Sequence, residues 1–200
     1  METSVKIHII IGSTRQCRYA DKPARYIYDE LAKKEGVQPE LVDLRDWPLP
    51  FFDEPMGPAM LKGNYSNELA KKWAAKVGEA DGYIMIAPEY NHGYTAVLKN
   101  AIDWVFSEWN NKPAGFVSYG SVGGSRAIEQ LRQVVIELKM LPIRHALHLP
   151  LEVYLATMRE QVPVNPDLFK PLREGIFGDR VEGFFTELVD LAKIMKSAKK

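Results

Sequence analysis

The sequence predicts a three-layer α/β/α fold, a parallel sheet with helices on both faces. Short apolar runs, mostly rich in β-branched residues, recur along the 200-residue chain. Helical periodicity fills most of the intervals between them, and polar loops containing Gly or Pro follow the first four runs. Strands that alternate with helices of about ten to fifteen residues imply βαβ crossovers, and hence a parallel sheet covered on both sides.

Val5 to Ile11 is almost unbroken and β-branched, as expected of a central strand buried on both faces. After Gly12 comes a polar loop. Asp21 is the expected N-cap of a first helix, with Pro23 in its first turn and Ala24, Ile27, Tyr28 and Leu31 at helical spacing until Gly36. Glu40 to Leu44 is the second expected strand, followed by the Pro-rich "WPLPFFDEPMGPAM" and a helix from about Ser66 to Val77. Tyr83 to Ala87 is the third, and its helix is expected from Thr95, as N-cap, to about Glu108. Ala114 to Ser118 is the fourth, followed by "YGSVGGSR" and a helix to about Leu138. A fifth strand near Ala146 to Leu149 and a last helix from Asp179 to Lys196 complete the pattern. Two Pro-rich stretches, 47–64 and 151–178, are too long for plain connectors and are expected to be lids or subunit arms. The basic tail "KSAKK" is expected to be a solvated helix end.

The length suits one domain with a full core, so residues 1–200 are expected to form a single domain. Twenty-six basic residues balance twenty-six acidic ones, which gives no field favouring nucleic acid or an anionic membrane. The first apolar run has no basic leader and no small-residue cleavage site, so it reads as a strand and not as a signal peptide. No stretch reaches the roughly 20 apolar residues of a membrane helix, so no membrane insertion is expected. Cys17 is the single cysteine, which excludes an internal disulfide and a thiolate zinc cage and fits a reducing cytoplasm.

Ligands of an open parallel sheet bind at the carboxyl ends of its strands, where the strand order reverses. Three loops of unusual chemistry fall there. "GSTRQCR", Gly12 to Arg18, offers a Gly turn, hydroxyls at Ser13 and Thr14, guanidinium groups at Arg15 and Arg18, and a following helix N-terminus. Together these outline a phosphate site. The loop lacks both GxxxxGK[ST] and GxGxxG, which argues against a nucleoside-triphosphate loop and a dinucleotide Rossmann site. "APEYNHGY" brings Pro88, Glu89, Tyr90 and Asn91 to the end of the third strand, offering donors, acceptors and one aromatic face at the switch point, or forms merely a hydrogen-bonded turn capping the next helix. "SYGSVGG" allows the backbone close approach to a flat ligand, or forms merely a tight turn.

Taken in order, "GSTRxxR", "PEYNHGYxAxLKNAIDW" and "KPxGFVSYGSVGGSRAxxxLR" resemble the NADPH-dependent FMN reductase family. Its members are flavodoxin-like proteins that reduce free flavin, quinones, azo dyes or metal oxyanions, and the resemblance spans roughly residues 5 to 150. It implies a flavodoxin-like fold with sheet order 2-1-3-4-5, FMN as cofactor and NADPH or NADH as co-substrate. It also implies a small-molecule electron acceptor and a homodimer or homotetramer. By position, Ser13, Arg15 and Arg18 match the phosphate loop, and Pro88, Glu89, Tyr90 and Asn91 match the loop around the flavin ring and ribityl chain. Tyr119, Gly120, Ser121, Val122 and Gly123 match the loop along the pyrimidine side of the ring. Thr95 departs from the family by standing where many members have Pro, and Gln16, Cys17, Arg18 and Tyr19 fill a stretch where many have Ser or Asn.

The resemblance implies hydride transfer from nicotinamide to flavin and then to an acceptor in a ping-pong scheme, which requires no catalytic side chain. A low-molecular-weight phosphatase built on Cys17 would need Arg at position 23, which is Pro23. His92 is a candidate to face ligand, while His8, His145 and His148 read as structural, and no His, Asp and Glu set shows metal spacing. Trp104, Phe106 and Trp109 exceed what one buried helix face needs and suggest a subunit contact. The alternative is a flavodoxin-type electron carrier. Such carriers usually have a Thr-rich phosphate loop and an acidic surface, whereas this chain has two loop arginines and no net charge.

Overall fold

The computed structural model describes residues 4–160, 169–176 and 178–198. Its frame is a parallel sheet of Val5–Ile11 (β1), Val37–Asp43 (β2), Gly82–Pro88 (β3), Pro113–Tyr119 (β4) and Leu141–Leu149 (β5), in the order β2-β1-β3-β4-β5. The helices are Asp21–Ala32 (α1), Pro58–Leu61 (α2), Glu68–Gly78 (α3), Ala96–Asp103 (α4), Ser125–Glu137 (α5), Leu151–Glu160 (α6), Lys170–Arg173 (α7) and Arg180–Ala198 (α8). The strand order reverses between β1 and β3, which creates a crevice at their carboxyl ends. This is the flavodoxin-like arrangement that the resemblance implied.

Strand alternation sorts the core into two layers. Ile7, Ile9, Ile11, Ile84 and Ile86 face one layer, where Ala24, Ile27 and Leu31 of α1 meet Phe184, Phe185 and Leu188 of α8. Ile10, Tyr83, Met85 and Ala87 face the other, packed on α3, α4 and α5 through Trp73, Leu98, Ile102 and Leu131. β3 and β4 are buried along their whole lengths, which explains why their runs carry no polar alternation. No helix among the described residues is long and apolar enough to cross a membrane.

Several boundaries differ from expectation for local reasons. β2 begins three residues before Glu40 and includes Pro39, which is tolerated because β2 is an edge strand. Asp21 is the first residue of α1 and not its cap; Ala20 stands at the N-cap, and the Asp21 carboxylate accepts from Arg18 Nε at 2.7 Å instead. β5 begins at Leu141 and includes Pro142, which an edge strand tolerates, and its register with β4 shifts between Ala114 and Phe116. On this sheet edge the exposed backbone is covered: Arg132 donates to the Ile143 and Arg144 carbonyls, and Glu187 accepts from the Arg144 and His145 N–H groups. α4 is shorter than expected, ending at Asp103 before a short 3₁₀ turn at Ser107–Trp109. The stretch 151–178 holds α6 and α7, and its residues 161–168 and 177 lie outside the described residues, as do 199 and 200 of the basic tail.

The tryptophans correct the expectation of a subunit contact. Trp104 and Trp109 are both fully buried within the chain. Trp104 Nε1 donates to the Pro50 carbonyl at 2.7 Å and its ring meets Phe52 edge-on, while Trp109 packs on Tyr83 with centroids 4.8 Å apart. Their apparent excess arises because the segment after Trp47 folds back over α4, where Asn100 Nδ2 also donates to the Leu49 and Pro50 carbonyls. Phe106 is partly buried at the wall of an apolar cavity of about 680 Å³ between this segment, α4 and the end of α5.

Candidate cofactor and active site

The loop after β1 is fastened by its carbonyls. Thr95 Oγ1 donates to Gly12 O at 2.5 Å, Arg18 Nη1 to Ser13 O at 2.7 Å, and Arg45 Nη2 to both Arg15 O and Gln16 O, the latter at 3.0 Å. A trans peptide places its N–H opposite its C=O. Each captured carbonyl therefore turns the N–H of its own peptide away from the side chain that holds it. Ser13 is buried, and its Oγ has no partner at hydrogen-bonding geometry, with the Tyr119 phenol as a neighbour. A buried hydroxyl left without a partner is costly unless a ligand completes it. Gly12 permits this arrangement because a Cβ there would lie 2.6 Å from the Ile86 carbonyl oxygen.

The two arginines of this loop separate by role. Arg18 is only 3% exposed at its side chain, and its N–H groups meet Asp43 at two oxygens, Asp21 and the Ser13 carbonyl. A guanidinium has five N–H donors, and these contacts occupy them, so Arg18 braces the loop and keeps no donor for a phosphate. Arg15 is exposed, and the neighbouring Tyr90 hydroxyl holds its pKa above the ordinary arginine value. Of the pair, Arg15 is the one placed to meet an anion.

The loop after β3 is a two-residue hairpin. Tyr90 N donates to Gly93 O at 2.8 Å and Gly93 N to Tyr90 O at 3.0 Å, with Asn91 and His92 between them at φ of 50° and 69°. Both central residues at positive φ make a type I′ turn, which Asn tolerates better than most residues. Pro88 is buried at the end of β3, while Tyr90, Asn91 and His92 are exposed. The Glu89 side chain is 4% exposed and is held by Arg126, whose Nε donates at 2.6 Å and whose backbone N–H donates at 3.2 Å. Arg126 Nη1 lies 2.8 Å from His92 Nε2. A guanidinium can only donate, so His92 accepts there. Glu89 thus ties the hairpin to the first turn of α5. Thr95 caps α4 as expected, accepting from Leu98 N at 3.3 Å, and its hydroxyl proton reaches the first loop.

The loop after β4 carries Tyr119, Gly120, Ser121, Val122 and Gly123. Gly120, Gly123 and Gly124 have φ of 157°, 70° and 77°. A Cβ at Gly124 would lie 2.6 Å from the Ser118 Cβ, so the backbone sits directly on the strand end. Ser121 and Val122 are exposed, whereas Tyr119 is buried, with its ring 4.8 Å from Tyr19 and stacked at 5.5 Å on Tyr154 of α6. Burial pushes the Tyr119 phenol pKa well up, so it is a hydrogen-bond donor at neutral pH. Glu89 N donates to Tyr119 O at 3.0 Å and Gly12 N to Ile86 O at 2.9 Å, which joins the three loops along one edge.

Sequence reasoning missed Arg45, Arg126 and Tyr154. The first two follow a strand and a Gly loop respectively, and an arginine just beyond such a segment is the signal that could have found them. Tyr154 lies in a stretch without motif, and nothing local marked it. One His and carboxylate cluster also went unseen: ligand atoms of His8, Glu40 and Glu79 lie within 4.8 Å of one another. Lys6 and Lys76 already pair with both carboxylates, at 3.1 Å and 2.8 Å among other contacts, so the set is an ion-pair network.

Sheet order and crevice define a flavodoxin-like α/β protein with a candidate ligand site at the strand ends. Residues 5–152 match the NADPH-dependent FMN reductase family, and the chain belongs to it. It is 40% identical over 153 residues to an NAD(P)H-dependent FMN reductase of Schizosaccharomyces pombe, covering 75% of this chain and 76% of that one. It is 36% identical over 142 residues to an NAD(P)H:quinone oxidoreductase of Solanum tuberosum, covering 68% and 70%. FerB, a flavoenzyme NAD(P)H:(acceptor) oxidoreductase from Paracoccus denitrificans, matches with a TM-score of 0.65 at 21% identity, over 93% of this chain and 98% of the other. That last likeness shows the fold.

Proposed function

We propose that the three loops hold FMN and that the chain is an NAD(P)H-dependent oxidoreductase that passes electrons to a small-molecule acceptor. The observation that carries the reading is the first loop: four carbonyls tied back by side-chain donors, and a buried Ser13 hydroxyl with no partner at hydrogen-bonding geometry, beside the Tyr119 phenol. That donor set fits a phosphate monoester. Ser13, Arg15 and the loop N–H groups hold the phosphate, with Arg18 and Arg45 bracing them. Pro88, Glu89, Tyr90 and Asn91 border the ring and ribityl chain, with Glu89 acting through Arg126. Tyr119, Gly120, Ser121, Val122 and Gly123 line the pyrimidine side, where close backbone approach is possible because three glycines carry the turn.

Held by these residues, FMN would supply the redox chemistry, hydride uptake from NAD(P)H and, in a separate half-reaction of a ping-pong order, reduction of a quinone, free flavin, azo compound or metal oxyanion. The protein's part is binding and orientation. Outward N–H groups of the Gly-rich turn stabilise negative charge on a ring beside them, and the exposed hairpin tip at Tyr90, Asn91 and His92 leaves one side open to a second substrate.

Residues 1–200 act as one domain, in the cytoplasm, which suits an exposed unpaired Cys17. The chain assembles as a homodimer or homotetramer through the face beside α4, where Phe51 at the apolar cavity is 82% exposed, and Met56 and Met60, on either side of its lining residues 57–59, are 48% and 67% exposed. Light scattering giving a monomer would remove that part. The activity is tested by following NADPH and NADH oxidation with FMN and a benzoquinone present. Turnover above the protein-free rate is expected, and its absence with both nucleotides counts against the reading.

A further inference from the structure

The Gly-rich loop rests on two side chains to which no role has been given. Ser118, the penultimate residue of β4, is completely buried, and its Oγ lies 2.7 Å from the Gly123 carbonyl oxygen and 2.9 Å from His148 Nδ1. His148 is its direct neighbour on β5. These distances fix the protons. A carbonyl only accepts, so the single Ser118 hydroxyl proton goes to Gly123 O. Ser118 Oγ must then accept from His148, which places a proton on Nδ1. His148 thus acts on the Gly123 carbonyl through Ser118 Oγ.

The consequence falls on the peptide between Gly123 and Gly124. Its carbonyl is drawn inward, so its N–H, carried by Gly124, faces the opposite side. The close fit allows no slack: a Cβ at Gly123 would lie 3.2 Å from the His148 Cβ, and one at Gly124 would lie 2.9 Å from Ser118 Oγ. Gly123 is at φ 70° and Gly124 at φ 77°. This double left-handed turn is demanding, because nothing in two consecutive glycines prefers it over other conformations. Left alone, the turn would sample both orientations of that peptide. Ser118 and His148 select one.

We propose that Ser118 and His148 are positioning residues for the cofactor: they hold the Gly123 carbonyl inward and so present the Gly124 N–H to the flavin ring. The inference rests on the FMN reading above. Neither residue touches the ring in this scheme; both act through the peptide they orient. In the free protein the pair restricts the glycine turn, so binding has less conformational freedom to remove.

The test measures FMN affinity, by quenching of flavin fluorescence, for the wild-type chain and for Ser118→Ala, His148→Ala and His148→Asn. Thermal unfolding of each without FMN is recorded alongside. Ser118→Ala and His148→Ala are expected to raise the Kd about five- to tenfold, the scale of one net hydrogen bond. His148→Asn keeps an N–H donor near the Nδ1 position and is expected to restore most of that affinity. A purely structural role predicts Kd values that follow thermal stability and no rescue by Asn, and that pattern overturns the proposal. So does an unchanged Kd in both Ala variants while the wild type binds. If the wild-type chain itself fails to quench FMN, the reading of the site falls and takes this inference with it.

Discussion

Replacing Arg18 by Ala removes the guanidinium that joins the first loop to the end of β2 and the start of α1. The arginine side chain is 3% exposed, against 25% for Asp43 and 50% for Asp21. Breaking a fully buried pair costs about 3–5 kcal/mol, because a charge is stranded. Here the stranded Asp43 keeps the Arg45 N–H at 2.9 Å and some solvent, and Asp21 is half exposed. Solvent screening therefore reduces the cost to about 2–3 kcal/mol. For a chain of this length that corresponds to a melting temperature lowered by roughly 5–10 °C. Burial raises the Asp43 pKa, but its bonds to Arg18 outweigh this and hold it below the usual carboxylate value. The stability it contributes is thus present above the unfolded Asp value, about 3.9, and lost as pH falls through the lower folded one. Urea denaturation at pH 7 and near pH 3, without FMN, should show the gap between wild type and Arg18→Ala shrinking in acid. A loss under about 0.5 kcal/mol at pH 7, together with severely weakened FMN binding, would refute the bracing role and return Arg18 to the phosphate.

Arg15→Ala is expected to behave in the opposite way: FMN binding weaker by about 1.5–3 kcal/mol in a fluorescence titration, with stability within about 0.5 kcal/mol of wild type. Unchanged flavin retention through gel filtration removes Arg15 from the site. His8 is 1% exposed, and burial, opposed by Glu40 and Glu79 and aided by Lys76 and Lys6, brings its pKa down to about 4. The folded chain therefore resists a proton that the unfolded chain takes up, and stability is lost as pH falls from about 6.5 to about 4. His8→Gln should flatten that part of a pH-stability profile, and an unaltered slope contradicts it. Gly115→Ala places a Cβ 2.7 Å from Phe184 Cζ, so the buried Phe184 ring, or α8 with it, must shift off β4. An overpacking cost of about 1–3 kcal/mol is expected in denaturant melts, and a neutral result would mean that α8 yields freely.

The fold was legible because its signals are local and repeated. Val5–Ile11 and Tyr83 to Ala87 are buried on both faces and therefore read as unbroken apolar runs. Elements hidden from the sequence were those whose form depends on distant partners. Pro39 and Pro142 sit in strands because β2 and β5 are the two edges of the sheet. Trp104 and Trp109 looked surplus because the chain that covers Trp104 is some fifty residues away, at Pro50. The three loops themselves were visible from composition. Which side chains face a ligand was not, because Arg18 is drawn inward by Asp43, a residue 25 positions away, while Arg15 is left exposed. The pairing of Ser118 with His148 likewise follows from β4 and β5 being neighbours in the sheet, which spacing along the chain does not encode.

The most direct test of the central claim is the visible spectrum of the purified chain after incubation with FMN and desalting, followed by anaerobic addition of NADPH. The account predicts retained flavin absorbance in the stoichiometry of one FMN per chain, bleached by the nucleotide. A colourless protein that also leaves FMN fluorescence unquenched in titration, or a bound flavin that neither NADPH nor NADH bleaches, would contradict it.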